Sequence, residues 1–104
     1  MNKTCTEITH YKLQSPADTE LYLKTVDVLN RVLPQIKGFI SRDVYYSSEA
    51  ETWVEVIQWE DLPTAKDAEK TLMSMPECKE GFRLLNMETV SLHYYDKVSE
   101  LKVR

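Results

Sequence analysis

The chain has 104 residues, a hydrophobic content of 42% and a formal net charge of −4. This length predicts a single domain over residues 1–104, with a folded core from about 5 to 95 and a polar tail over 96–104. The acidic balance argues against nucleic acid and anionic membrane surfaces, which bind basic patches. The longest apolar run is too short to cross a bilayer, and no signal-peptide pattern is present, so a cytoplasmic location is expected.

Cysteine and glycine usage excludes several kinds of site. The two cysteines, Cys5 and Cys78, have no partner cysteine or histidine at metal-ligand spacing, so no metal is expected. Two reduced thiols are expected, although a single disulfide is compatible with the sequence. With only two glycines, the chain has neither a phosphate-binding loop nor the glycine-flanked serine of a hydrolase.

The first half of the chain predicts a strand, a helix and a second strand. Residues 5–13 are rich in β-branched and aromatic types, which favour a strand. The segment SPAD predicts a helix start, with Ser15 as N-cap and Pro16 at the first helical position. The apolar stripe of this helix consists of Tyr22, Val26, Leu29 and Leu33. Pro34 is expected to end or kink the helix, and residues 39–46 predict the second strand.

The second half predicts two more strands with helices between them. Residues 52–59 predict a third strand after the polar hairpin loop SSEAE, and Asp61 is placed to cap the next helix. The apolar stripe of that helix consists of Ala65, Ala68, Leu72 and Met75. A short helix is expected within residues 76–86, and the last strand over 88–95.

The order of these elements is β-α-β-β-α-β. This is the split βαβ pattern of a ferredoxin-like α+β domain. Its four strands form one antiparallel sheet, and both helices are expected to cover the same face.

The strands predict a partner for the other face. Trp53, Ile57 and Trp59 share one face of the third strand, while Val54 and Val56 share the opposite face. A sheet covered on one side only would instead alternate between apolar and polar residues. Because the helices can bury only one face, we expect a homodimer that packs through its sheet faces.

The strand that ends in Trp59, the acidic turn after it and Ala65 in the next helix resemble the antibiotic biosynthesis monooxygenase superfamily. The resemblance covers about residues 5–95 in element order and length. It implies a dimeric α/β barrel with a pocket between sheet and helices in each subunit. Some members of the superfamily oxidise polycyclic phenols without metal or flavin, and others bind and degrade haem.

The haem-degrading branch can be tested on three positions. Its members resemble one another in an Asn on the first strand, a Trp that ends the third strand and a His on the following helix. Trp59 matches, but the helix position falls at Glu69, and the first-strand position falls near Thr9 or His10. Haem degradation is therefore not expected. Many other members of the superfamily also have a His on this helix. Because this chain has Glu69 at that position, there is less reason to expect their chemistry here.

Cofactor-free oxygenation requires a base, donors for a developing oxyanion and a dry pocket. His10, His93 and Glu55 are the candidate catalytic residues, since each lies on a predicted strand. The sequence leaves open whether the two histidines line one pocket or lie on different faces. Glu55 has an alternative as well, because it can form an ion pair with Arg42 on the neighbouring strand.

A ligand pocket is expected from aromatic and charged residues of the strands and the second helix. The candidate lining residues are Trp59, Tyr45, Arg42, Tyr94 and Glu69. A tryptophan at a strand end can stack on an aromatic ligand, but it can equally fill the gap between sheet and helix. Both interpretations of Trp59 remain open at this point.

The resemblance implies a monooxygenase without cofactor that acts on a small aromatic or quinone-like compound. The alternative is a non-catalytic dimeric protein of the same fold that binds a small apolar molecule. Whether the chain is an enzyme is not decided by its residues, because one fold supports many functions.

Overall fold

In the computed structural model, residues 4–103 are described and form a four-stranded antiparallel sheet with helices on one face. The strands are β1 (Cys5–Leu13), β2 (Phe39–Ser47), β3 (Thr52–Trp59) and β4 (Leu85–Tyr95). The helices are α1 (Thr19–Val32), α2 (Leu62–Ser74) and α3 (Pro76–Leu84). The strand order is β2-β3-β1-β4, so the first and third strands are central. The predicted βαββαβ ferredoxin-like fold is confirmed.

Both predicted N-caps are present. The Ser15 hydroxyl accepts a hydrogen bond from the backbone N–H of Ala17 and starts a 3-10 turn, so α1 begins at Thr19. The Asp61 carboxylate accepts from the backbone N–H of Thr64 at 2.8 Å and caps α2. No helix in the described part of the chain is both long and apolar enough to cross a membrane.

Strand β4 begins earlier than its sequence pattern predicts. It starts at Leu85, whereas the expected strand covered residues 88–95. The cause is continued pairing with β1 beyond a register shift, where Leu13 pairs with Leu85 and Lys12 with Asn86. Such a shift depends on tertiary pairing, which residue periodicity does not specify.

The two faces of the sheet differ in their surroundings. Every second residue of β1 is buried beneath the helices, namely Cys5, Glu7, Thr9, Tyr11 and Leu13. The residues between them are half-buried or exposed and point to the opposite face. We call the side of the sheet that packs against the helices the helix-covered face and the opposite side the open face. The register aligns Glu7 with Ile57 and Thr9 with Glu55, so these side chains share the helix-covered face.

The helix-covered face contains two apolar clusters. The first consists of Cys5, Leu33, Ile57, Trp59, Ala65, Ala68, Leu72 and Cys78. The second consists of Tyr11, Leu13, Tyr22, Trp53 and Leu84. A cavity lies between the sheet and the helices, and residues of both clusters line it.

Gly38 brings the start of β2 close to the start of α2. Its φ is +86°, and a Cβ at this position would lie 2.1 Å from the Thr64 Cγ2 atom. The Gly38 carbonyl also accepts a hydrogen bond from the backbone N–H of Glu60 at 2.9 Å. Only glycine allows both this left-handed conformation and this close approach.

Candidate functional site

The cavity between sheet and helices has a volume of about 260 Å³ and mainly apolar walls. Its apolar lining includes Leu29, Ile57, Leu72, Phe82, Val90 and Leu92. Met73 and Met87 also line it, and more than half of each side chain is exposed to solvent. These two methionines therefore mark the mouth, and their flexible side chains suit an opening that adapts to a ligand.

Glu7 places a carboxyl group in this apolar cavity. The residue is 8% exposed, and its Oε1 accepts a hydrogen bond from the Trp59 indole Nε1 at 3.0 Å. Burial, followed by the negative charge of Glu55, raises the pKa of Glu7 to about 7, although the Trp59 hydrogen bond acts in the opposite direction. At neutral pH the carboxyl is therefore present in both forms, so it can take up a proton and return it.

Arg42 and Glu55 form a buried ion pair beside Glu7. The Arg42 Nε and Nη2 atoms lie 2.8 and 2.7 Å from Glu55 Oε2. Arg42 Nη1 donates to the Val26 carbonyl at 3.2 Å and to Asn30 Oδ1 at 3.0 Å. The guanidinium thus connects β2 and β3 with α1, and the ion-pair alternative for Glu55 is the arrangement present.

The hydroxyl groups in the cavity differ in their partners. The Tyr11 and Tyr22 hydroxyls hydrogen-bond to each other, and burial raises the pKa of both phenols, so both stay protonated at neutral pH. The Thr9 Oγ1 is buried and has no hydrogen-bond partner among the described residues. Thr9 lines the cavity, but this oxygen itself has less than 1 Å² of accessible surface.

Three of the predicted site residues, Glu55, Arg42 and Glu69, line the cavity. A fourth, Tyr94, lies next to them, because its hydroxyl donates to Glu69 Oε2 at 2.7 Å. Burial, together with this hydrogen bond, raises the pKa of the Tyr94 phenol above its ordinary value. The structure therefore brings together the charged candidates of β2, β3 and α2.

Trp59 is 1% exposed and is not among the residues that line the cavity. Its ring packs edge-on against Phe39, with 5.8 Å between the ring centroids. Of the two interpretations of this tryptophan, the structure has the one in which it fills the space between sheet and helix. Its link to the cavity is the hydrogen bond to Glu7.

The remaining candidates, His10, His93 and Tyr45, lie on the open face. His10 pairs with Val54, and His93 pairs with Ile8, which places both imidazoles on the side away from the helices. All three side chains are exposed. The structure does not bring them to the cavity or near Glu55.

Several residues of the cavity were not singled out as site residues from the sequence, among them Glu7, Thr9, Tyr11 and Tyr22. A signal for the first two was nevertheless present. Glu7 and Thr9 lie on the same face of β1 as the apolar residues Cys5 and Leu13. The predicted topology places this strand in the centre of the sheet. A carboxyl and a hydroxyl in that phase point into the protein interior, where burial of an unpaired polar group costs free energy. Polar residues at such positions therefore mark a candidate site.

The described residues offer no metal site of the usual kind. Residues 4–103 contain no group of three or more histidine, cysteine or carboxylate side chains arranged to hold an ion. Cys5 and Cys78 are both free and buried, as expected, and burial raises the pKa of each thiol. A raised pKa makes both thiols poor nucleophiles.

No protein-family model matches the chain, and no curated protein matches it. Solved structures match nearly its full length. A variant of SnoaB, described as a cofactor-independent oxygenase from Streptomyces nogalater, has a TM-score of 0.78 and 11% identity over 95% of this chain and 97% of that one. A protein provisionally named an antibiotic biosynthesis monooxygenase, from Nitrosomonas europaea, has a TM-score of 0.75 and 10% identity over 94% and 93%.

A third structure supports the same assignment of the fold. It is also provisionally named an antibiotic biosynthesis monooxygenase, comes from Bordetella bronchiseptica, and has a TM-score of 0.74 and 17% identity over 93% of this chain and 99% of that one. Identities this low carry information about backbone architecture and not about substrates. The resemblance suggested by the residues is thus confirmed in its architecture: the chain has the fold of the antibiotic biosynthesis monooxygenases.

Proposed function

We propose that the cavity binds a small aromatic or quinone-like compound with an acidic hydrogen and promotes its oxidation by dioxygen without a cofactor. The observation that carries this proposal is Glu7, a carboxyl with a pKa of about 7 in an apolar cavity. Such a group is matched to proton removal near neutral pH, which is the step that activates an electron-rich substrate toward dioxygen.

The reaction balances without an external reductant when the substrate carbon is a methylene next to a ketone. Glu7 removes one proton, and the resulting carbanion transfers an electron to dioxygen, giving a carbon radical and superoxide. These combine into a peroxide, which loses water and leaves a new carbonyl group. One oxygen atom remains in the product, the other leaves as water, and the methylene carbon supplies all the electrons. Glu7 returns its proton to the departing hydroxide.

The walls of the cavity support this chemistry. Apolar side chains such as Leu29, Leu72 and Phe82 limit the access of water, which would compete for the carbanion and the peroxide. The volume of about 260 Å³ lies just below the range of roughly 300–1,000 Å³ for pockets of drug-sized ligands, which favours about two or three fused rings. The structural neighbour SnoaB, described as a cofactor-independent oxygenase, supports the same reaction class.

Oxygen uptake with a panel of anthrones, naphthols and hydroxytetralones tests the function. The wild-type chain should raise uptake above the protein-free rate, and Glu7→Gln should lower it by about a hundredfold or more, because the amide cannot accept the proton. Glu49→Gln, at an exposed hairpin position, should leave the rate unchanged. Uptake at the protein-free rate for every compound would overturn the oxygenase, and saturable binding in its absence would favour a non-catalytic binding protein.

We also propose that the functional unit is a homodimer formed through the open faces. Ile8, Val54 and Val56 are only half-buried there, and Tyr45 and Tyr95 are 57% and 46% exposed. Light scattering should give twice the chain mass of 12.2 kDa at micromolar concentration, and Val56→Asp should shift it toward the monomer. A wild-type monomer would contradict this proposal.

A further inference from the structure

Tyr11 and Tyr22 line the cavity, and their phenol hydroxyls share one hydrogen bond. Both residues are buried, and burial raises the pKa of both phenols, so both hydroxyls carry a proton at neutral pH. Two hydroxyls have two protons, and the bond between them uses only one. The second O–H donates to no acceptor among the described residues. A buried donor without an acceptor at a cavity wall points to a bound molecule that supplies one.

Packing from three elements holds this hydroxyl pair in place. Tyr11 of β1 and Tyr22 of α1 meet edge to face, with 5.8 Å between their ring centroids. Trp53 of β3 packs edge to face against the Tyr22 ring at 5.1 Å. Arg42 Nη1 donates to the carbonyl of Val26, one turn after Tyr22, and thereby ties this part of α1 to the sheet. Because the rings are fixed, the second O–H is positioned before a ligand arrives.

A paired hydroxyl is a better donor than a lone phenol. Either oxygen can donate the bond between the two rings, so either hydroxyl can direct its own proton to a ligand. The hydroxyl that does so accepts a hydrogen bond from its partner, and such a chain polarises the outer O–H. This arrangement suits donation to an oxygen on which negative charge develops.

Glu7 and the hydroxyl pair lie in different parts of the cavity. Glu7 and Tyr11 are four residues apart on the same face of β1, so their Cα atoms are separated by about 13 Å. This separation suits a fused-ring ligand whose acidic hydrogen and carbonyl oxygen lie on different parts of the molecule. When Glu7 removes the proton, conjugation through the rings transfers negative charge to that oxygen.

Arg42 provides a second donor in the same region. Its contacts with Glu55, Val26 and Asn30 leave one N–H on Nη2 without an acceptor among the described residues. The charge of Arg42 acts on both phenols, which places it near the hydroxyl pair. The two donors can be separated by experiment, because the phenol hydroxyls can be removed while the ion pair stays intact.

We infer that the Tyr11–Tyr22 pair donates its second O–H to a ketone or quinone oxygen of the ligand and stabilises the negative charge on that oxygen after proton removal. The inference rests on the proposed function for the role of Glu7 as base. The hydrogen bond itself can be measured on bound ligands without turnover.

Calorimetric titration under argon at pH 6 tests this hydrogen bond. The ligand pair is a hydroxytetralone, with its hydroxyl and ketone on opposite rings, and the tetrahydronaphthol that lacks the ketone. The wild-type chain should bind the ketone about tenfold more tightly, as expected for one hydrogen bond in a dry site. A double variant that combines Tyr11→Phe and Tyr22→Phe should bind both compounds equally. The single variant that removes the ligand-facing hydroxyl should do the same.

Tyr46→Phe is the matched control. This residue is 52% exposed, packs against Trp53 and does not line the cavity. The variant therefore removes a phenol hydroxyl from the same aromatic surroundings without changing the site. It should keep the ketone preference of the wild type.

Absorbance titration of the bound hydroxytetralone gives a readout that a purely structural role would not change. When its hydroxyl is para to the ring carbon that carries the ketone, ionisation spreads negative charge to the ketone oxygen. Hydrogen bonds to an ionised oxygen are roughly twice as strong as those to a neutral one. The pKa of the bound ligand should therefore be about 1 lower in the wild type than in the double variant. Equal values would overturn the inference.

Thermal unfolding of the free protein tests whether the second O–H lacks a partner in the chain. Each single variant leaves one buried hydroxyl without its partner, whereas the double variant removes both hydroxyls. The Tm of the double variant should therefore be equal to or higher than that of either single variant. A lower Tm than either one would mean that the second O–H has an acceptor in the protein, and the inference would be wrong.

The titrations separate this inference from the proposed function. A ketone preference that survives in the double variant would overturn the inference and assign the contact to Arg42 Nη2, and no binding of either compound would overturn it as well. A preference that disappears in the double variant, in a protein without oxygen uptake, would support the hydrogen bond and exclude the oxygenase. Wild-type oxygen uptake that the double variant retains in full would leave the oxygenase and exclude the stabilising role of the hydroxyl pair.

Discussion

The two faces of strand β1 contain similar residue types in opposite surroundings. On the helix-covered face, Glu7 and Thr9 lie between tightly packed apolar residues. On the open face, Thr6 and His10 flank Ile8, and His10 is exposed. A polar residue therefore occupies an enclosed or a solvated position according to its place in a two-residue alternation.

The chemical consequence of this difference is large. On the helix-covered face, burial moves the pKa of an ordinary carboxyl to about 7, near the pH at which a base works best. On the open face, the imidazoles of His10 and His93 are exposed to solvent and lie away from the cavity. In this sheet the enclosed surroundings of Glu7 change its proton affinity, which its residue type alone would not do.

The largest expected effect is on the free energy of unfolding, and it arises on the helix-covered face. Trp59→Ala should lower the free energy of unfolding by about 3–5 kcal/mol, because it removes a fully buried indole that packs against Phe39. Urea denaturation at constant pH measures this change. Leu23→Ala, at an exposed position of α1, should cost about 0.5 kcal/mol or less. Similar costs for both variants would mean that Trp59 is not a core residue.

An intermediate effect is expected in the pH dependence of stability. The pKa of Glu7 rises from 4.5 to about 7 on folding, so between these pH values the folded chain binds more protons than the unfolded chain. The free energy of unfolding should therefore fall by about 3 kcal/mol as the pH rises through this window. Glu7→Gln should not show this fall, so the variant should be the more stable protein at pH 8.

Urea titrations of both proteins from pH 4 to 8 provide the measurement. Because all other ionisable groups are shared, the difference between the two curves isolates Glu7. Glu49→Gln is the matched control and should follow the wild type. Parallel curves for wild type and Glu7→Gln would show that the carboxyl has an ordinary pKa and is not the proposed base.

The smallest effect is expected on the open face. His10→Ala and His93→Ala should each change stability, and the activation free energy of oxygen uptake, by no more than about 0.5 kcal/mol, since both imidazoles are exposed and distant from the cavity. The assays should be run at a concentration where light scattering gives the same oligomeric state for all variants. A loss of oxygen uptake as large as that of Glu7→Gln would indicate that these histidines have a catalytic role.

Residue periodicity predicted the fold because each element carries its own signal. The alternation of β1, the stripes of α1 and α2, and the caps Ser15 and Asp61 act within a few residues, and the topology follows from their order. The early start of β4 at Leu85 was not predictable, since it depends on pairing with β1 beyond a register shift.

The site was predicted only in part, for a related reason. Arg42 and Glu55 were identified because strand neighbours of opposite charge can pair, and they do. Glu7 and Thr9 were not predicted, because the choice of His10 rested on residue type, and His10 lies in the opposite phase of the strand. The apolar residues of β1 already indicated which phase points inward. The unpaired state of Thr9 depends on distances between strands and helices that sequence does not provide.

The hydrogen bond from Trp59 to Glu7 links the folding core to the cavity carboxyl. At an ordinary core position, the exchange of one large apolar side chain for another of similar volume has a modest cost in packing. At this position such an exchange would also remove the indole N–H, whose hydrogen bond lowers the pKa of Glu7. A substitution of Trp59 during evolution would therefore change the packing of the core and the proton affinity of Glu7 at once, although Trp59 does not line the cavity.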